Sequence, residues 1–247
     1  MDPRTRTALD ELVARLAGID EVEALWVGGS LATGDHVPGV SDLDLVALTA
    51  GRMDPAVITT IHQDLDAGLA AGMDLGCQYA DRARLGDLAA EHPTWTHGEL
   101  LDRTVSLVTR VELVRHGFTL LGPPPQVVLP AEVRHQARAA GQAELVGYWS
   151  WAAQHPRMFW RHAVMVDLGL TSMARARHSI STGDLLTKTE AIEHAHAPEW
   201  LKEQMRARRR GEHVVSPRWR AAYYAWRDVR RTTASTVEAT AVDQSRS

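Results

Sequence analysis

Val27-Gly28-Gly29-Ser30-Leu31-Ala32-Thr33-Gly34 leads through Asp35-His36-Val37-Pro38-Gly39-Val40 into Ser41-Asp42-Leu43-Asp44-Leu45-Val46, and this stretch decides how the chain reads. Ala24–Val27 has the pattern of a short buried strand entering a glycine-rich turn. Asp42–Leu48 alternates polar and apolar and then becomes wholly apolar, as a second strand entering a core does. Alternate residues of a strand face one way, so Asp42 and Asp44 present two carboxylates to one side. Their mutual repulsion is relieved by a hard divalent cation between them. The turn offers backbone N–H groups and the Ser30 hydroxyl to a phosphate. Asp42 and Asp44 are therefore the candidate metal ligands. Gly28, Gly29, Ser30, Gly34 and Ser41 are the candidate nucleotide-binding residues. Asp35 and His36 read as polar groups of the connecting loop.

Working outward, apolar positions recur at helical spacing over residues 8–18. A helix is expected from Asp54 to Ala70, with Asp54 as N-cap, Pro55 at its first position, and Val57, Ile58, Ile61, Leu65 and Leu69 on one face. Asp74–Tyr79 reads as a third strand. Residues 100–121 read as mixed, ending in a helix and a turn. From Ala131 the pattern is helical almost throughout, with helices expected near 131–154, 158–181, 187–194, 197–211 and 216–239. Pro123-Pro124-Pro125 is the expected boundary. The fold class is thus α+β: a small mixed sheet with flanking helices over residues 1–122, then an all-α domain over 126–240. The last ten residues are expected to fray.

Composition fits a cytoplasmic enzyme. The chain has 247 residues, 45% of them hydrophobic, and no apolar run approaches the roughly 18 residues needed to span a bilayer. The N-terminus is polar, unlike a signal core. One cysteine, Cys77, forms no intrachain disulfide. The net charge of −4 gives no reason to expect a nucleic-acid partner. A monomer is the default.

Gly29-Ser30 followed by Asp42-x-Asp44 resembles the signature of the polymerase-beta-like nucleotidyltransferase superfamily. Within it the chain is most similar to the aminoglycoside nucleotidyltransferases of the streptomycin/spectinomycin adenylyltransferase type. His116–Pro123 resembles the segment that closes their N-terminal domain. Arg175, Thr182-Gly183 and Lys188 resemble the arginine, Thr-Gly and lysine of their helical domain. The likeness covers roughly residues 20–215.

The resemblance implies transfer of AMP from ATP to a hydroxyl of a small acceptor, with Mg²⁺ at Asp42 and Asp44 and release of pyrophosphate. Mg²⁺ suits an all-oxygen ligand set, and no Cys/His cluster is present for zinc. It also implies a third acid as metal ligand or general base. Asp74, which opens the third strand, leads; Glu99 and Asp81 are alternatives, as is a site with none. Lys188 and Arg175 are expected on the nucleotide, completing a cleft between the two halves. Arg175 or Arg177 has Asp167 or Glu190 as an alternative partner. An aminoglycoside acceptor calls for carboxylates, and Glu99 and Asp102, with Glu144 and Asp167, are the candidates. Trp95 is a candidate cleft-lining ring, while the other tryptophans pack helices. The run Arg206–Arg210 reads as a helix C-terminus whose cations offset the dipole. Two other functions stay open: a nucleotide-binding sensor or partner-binding module without turnover, and transfer to a protein or RNA acceptor.

Overall fold

The computed structural model describes residues 1–244, and the chain divides into two compact units between Arg134 and His135. The first unit opens with helix α1 (Pro3–Leu16), which starts earlier than its apolar repeat suggested. Asp2 caps it, its carboxylate accepting the Arg4 and Thr5 N–H groups at 3.1 and 3.0 Å. Strand β1 (Val22–Val27) follows, then α2 (Gly29–Thr33), β2 (Leu43–Thr49), α3 (Pro55–Ala67) and β3 (Leu75–Asp81). β4 (Glu91–Thr96), β5 (Glu99–Thr104), α4 (Leu107–His116), β6 (Phe118–Leu121) and the short α5 (Pro125–Val128) complete the unit.

The six strands form one sheet in the order β5-β4-β3-β2-β1-β6. β2 and β3 run parallel, joined by a crossover through α3, and the other pairs are antiparallel. This is the small mixed sheet expected. One face carries the core: Leu9, Leu12 and Leu16 of α1 and Ile58, Ile61 and Leu65 of α3 pack with Leu43, Leu45, Leu75 and Cys77. Burying each such side chain contributes roughly 1.5–3 kcal/mol. Cys77 is buried, and burial pushes its thiol up to about 12.

Asp54 caps α3, accepting the Ala56 N–H at 2.8 Å, with Pro55 at the first helical position. Two residues placed on its apolar face turn out to be exposed, Val57 at 38% and Leu69 at 46%. Leu69 lies beyond the end of the helix, and Val57 precedes the buried Ile58 on the solvent side. Trp95 does not line a cleft. It is 2% exposed in the core, its indole N–H donating to Asp66 at 2.9 Å and its ring stacked on His62 with centroids 5.3 Å apart.

The second unit is helical, as expected, but more broken. A 3₁₀ turn (Ala131–His135) precedes α6 (Ala137–Glu144), a π-helical turn (Leu145–Trp149) and α7 (Ser150–Gln154) in place of one helix over 131–154. Gly147 sits inside the π turn with non-helical dihedrals, which interrupts the run. α8 (Arg157–Arg161), α9 (Val164–Thr182), α10 (Lys188–Glu193), α11 (Glu199–Arg209) and α12 (Arg218–Gln244) follow. The last helix runs past the expected end at 239. The fraying expected of the last ten residues falls in part on residues 245–247, which lie outside the described residues. Phe159, Leu170, Met173, Leu201, Ala222 and Val229 form this unit's core. Among the described residues no helix is long and apolar enough to cross a membrane.

Candidate active site

The glycine-rich stretch is a helical turn, not an open loop. α2 has five residues, Gly28 as N-cap and Gly34 as C-cap at φ +76°, with the Gly34 N–H donating to the Ser30 carbonyl. The Gly28 N–H donates to the Asp44 carbonyl at 2.8 Å, extending the β1–β2 ladder one step and fixing the turn beside the carboxylates. Gly29 has φ +53°, and a Cβ built on it would stand 1.9 Å from Asp44 Oδ2. Only glycine allows the backbone this close to the acid.

Asp42 is half-buried just before β2, and Asp44 is exposed on its second residue. Leu43 between them points into the core. The period of two therefore places both carboxylates on the sheet face away from α1 and α3, as expected. Ser30 and Ser41 are buried. The Ser41 hydroxyl accepts the Val37 N–H at 3.0 Å while the Ser41 N–H donates to the Val37 carbonyl at 2.9 Å, so this serine braces the loop before Asp42. Ser30 Oγ lies 3.5 Å from His36 Nδ1, tying α2 to the same loop.

The register settles where third acids can stand. Leu43 pairs with Leu75 and Asp44 with Gly76, so the β3 neighbour of Asp44 has no side chain. Asp81 pairs with Thr49 at the opposite end of β2 and its carboxylate accepts the Ala83 N–H at 2.9 Å, which separates it from Asp42 and Asp44. Asp74 sits at the near end, its carbonyl accepting the Leu43 N–H at 3.2 Å. Its side chain is held by His97, Nδ1 to Oδ2 at 2.7 Å. Burial raises the Asp66 carboxyl above the usual range, the Trp95 N–H opposes this, and nearby Asp74 adds to the rise.

Glu99 pairs with Thr96 at the start of β5, while Asp102 pairs with Pro93. An odd separation along a strand sends them to opposite faces, so these two do not form one acidic wall. Asp102 is moreover gripped by both bonds of Arg52 Nη2, at 2.7 and 2.9 Å. In the second unit Asp167 is paired bidentately with Arg208 at 2.7 Å for each bond. Arg175 Nε donates to the Leu186 carbonyl at 2.9 Å, Arg177 binds Asp228 at 2.8 Å, and Glu190 closes a capping box with Thr187. Lys188 is the first residue of α10. In the Arg206–Arg210 run, Arg206 binds Glu193 and Glu199, and Arg210 binds Glu212.

Asp42 and Asp44 fit a magnesium ion. Mg²⁺ takes one or two carboxylates and completes its shell with phosphate and water. Among the described residues no three His, Cys, Asp or Glu side chains converge. The donor set thus suits an ion shared with a triphosphate. Sequence reasoning missed the Asp74–His97 pair and the turn that positions it; the one local signal was Gly98 after His97.

Residues 6–115 match the sequence profile described as "Nucleotidyltransferase domain". The solved structure of spectinomycin adenyltransferase AAD(9) from Enterococcus faecialis, with ATP and spectinomycin, is similar over 93% of this chain and 96% of its own. The TM-score is 0.62 at 12% identity, so that likeness concerns the fold. A toxin–antitoxin with AMP-PNP overlaps 55% of this chain and 90% of its own at 19% identity, with a TM-score of 0.35 that supports no argument. No curated protein matches the sequence. Residues 6–115 therefore match the nucleotidyltransferase domain family, and the chain shares the fold of the spectinomycin adenyltransferase structure.

Proposed function

We propose that the protein transfers AMP from ATP to a hydroxyl of a small acceptor, with Mg²⁺ at Asp42 and Asp44 and release of pyrophosphate. The observation that carries this reading is the packing of the Gly28-Gly29 backbone against Asp44. It sets backbone N–H groups beside two carboxylates, the combination a metal–triphosphate requires. Bound there, Mg²⁺ would neutralise triphosphate charge and stabilise the in-line transition state. Gly28, Gly29 and Ser30 would contact phosphate, Gly34 and Ser41 would hold the turn and the loop, and Asp42 and Asp44 would fix the reacting phosphorus. Lys188 and Arg175 join the nucleotide-binding set on the strength of the sequence resemblance.

The acceptor we favour is an aminoglycoside-type polyol, in keeping with the compound bound in the spectinomycin adenyltransferase structure. Of the carboxylates proposed to receive it, Asp102 and Asp167 are already neutralised by arginines. Glu99 and Glu144 are then the remaining acceptor-side acids, and an acceptor of low charge suits them better than a highly charged polycation.

A second reading, nucleotide binding without turnover, gains support from Gly76, which leaves β3 without an acid beside Asp44. One experiment separates the two: pyrophosphate release from ATP and Mg²⁺ with spectinomycin, streptomycin and other aminoglycosides in turn. Turnover with any of them establishes transfer. ATP binding with no turnover on the whole panel favours the sensor.

A further inference from the structure

Asp74 and His97 are, among the described residues, the two non-glycine residues with positive φ, at +48° and +51°. They lie in different turns, the first before β3 and the second between β4 and β5, and their side chains meet at 2.7 Å. A left-handed conformation costs a non-glycine residue of order 1–3 kcal/mol, and such strain collects at sites where geometry serves function. Glycine would relieve it at either position. Keeping Asp and His there spends strain twice on one contact.

The location is specific. Gly29 follows the end of β1, Asp42 and Asp44 flank the start of β2, Asp74 precedes β3, and His97 follows the end of β4. The strand directions bring all of these to one end of the sheet. This end lacks a carboxylate on β3 beside Asp44, where Gly76 stands. The transfer reaction still needs a group to take the proton of the attacking hydroxyl.

We propose that His97 is that group and that Asp74 is its positioning residue; the inference rests on the transfer reading above. Asp74 accepts from Nδ1, which fixes the tautomer with its lone pair on Nε2. The imidazole is 68% exposed, so Nε2 is open to an acceptor. In the step, Nε2 takes the hydroxyl proton and the oxygen forms a bond to the α-phosphorus of ATP. The bond from that phosphorus to the bridging oxygen breaks, pyrophosphate leaves, and the proton passes from His97 to solvent. Asp74 would thus serve through the histidine, and not as a third carboxylate on the metal.

The test uses the full-length protein, ATP, Mg²⁺ and spectinomycin, or whichever aminoglycoside of the panel turns over best. His97→Gln keeps an N–H donor for Asp74 and removes the basic nitrogen. It should lower kcat by about 10²–10⁴-fold while the KM for ATP stays within about threefold. His97→Ala should match it, and Asp74→Asn should fall between wild type and both. The acid limb of the wild-type rate profile, where a protonated imidazole no longer accepts, should disappear in His97→Gln. Asp74 contacts this imidazole, and Asp66 near Asp74, Glu99 at the start of β5, and Asp42 and Asp44 at the same end of the sheet are the other carboxylates that could carry an acid limb. A limb that survives belongs to one of them. If His97→Gln keeps more than about a third of kcat, or the acid limb survives in it, the pair is a clasp between turns and the proposal falls while the transfer reading stands. Wild-type protein that binds ATP and transfers to no acceptor overturns both.

Discussion

Asp44 and Gly29 share one space: the carboxylate Oδ2 lies 1.9 Å from the point where a Cβ on Gly29 would stand. The contact ties the glycine turn to the acid it serves, so neither can change without the other moving. Gly29→Ala must push the Asp44 carboxylate aside and must also hold a side chain at φ +53°. It should weaken ATP·Mg²⁺ binding by about tenfold or more, some 1.4 kcal/mol, read by titration calorimetry. Unchanged affinity would show that the turn does not approach the nucleotide.

Asp44 is exposed and Asp42 half-buried at the end of the sheet, away from its core. Asp42→Asn and Asp44→Asn keep the shape of the side chain and should therefore stay folded, with an unchanged circular dichroism spectrum. Transfer should fall below a tenth of wild type, a loss beyond about 1.4 kcal/mol. Activity that persists in either variant removes that residue from the metal site.

Lys188 opens α10 behind a Thr187–Glu190 capping box. If it meets the triphosphate, Lys188→Ala loses a charge-assisted hydrogen bond of about 1.5–3 kcal/mol, and the Kd for ATP rises by about ten- to a hundredfold. Lys188→Arg should recover part of the loss. A Kd within twofold of wild type in Lys188→Ala would return this lysine to an ordinary helix-start role.

His62 is fully buried, its Nε2 2.8 Å from the Tyr79 hydroxyl. Burial lowers its pKa to about 4 from 6.5. The unfolded chain then binds a proton between those values that the folded chain refuses, so stability rises with pH across that window. The contribution is complete above about 6.5 and is lost as pH falls toward 4, amounting to roughly 3 kcal/mol. Urea midpoints measured between pH 4 and 7 should show this slope, and His62→Gln should flatten it. An unchanged slope in the variant would assign the acid sensitivity elsewhere.

How much of this was legible beforehand follows from how local each feature is. Asp42-x-Asp44, the Gly28-Gly29 doublet and the Asp54-Pro55 helix start act through neighbours in sequence, and each was readable. The edge strand Glu99–Thr104 was not, because its outer face is polar and it lacks the apolar run of an inner strand. Pro93 within β4 hid that strand too, since proline speaks against a ladder. Long-range pairing was the larger loss. Nothing in Thr96-His97-Gly98 announces Asp74, and nothing around Arg175 announces the Leu186 carbonyl. The acids chosen for an acceptor were selected by charge alone, and charge does not reveal that Arg52 and Arg208 hold Asp102 and Asp167.

The position of β6 bears on how the protein is made. Phe118–Leu121 covers the outer edge of β1, and the Trp26 indole N–H reaches the Pro123 carbonyl, 97 residues along the chain. At a synthesis rate of about 5–20 residues per second, β1 waits several seconds for the segment that shields its edge. A nascent chain halted before residue 118 would carry a largely apolar six-residue strand with one row of N–H and C=O groups bare, the kind of template on which chains stick together. Ribosome stalling in that interval should yield insoluble product, whereas release after residue 134 should not.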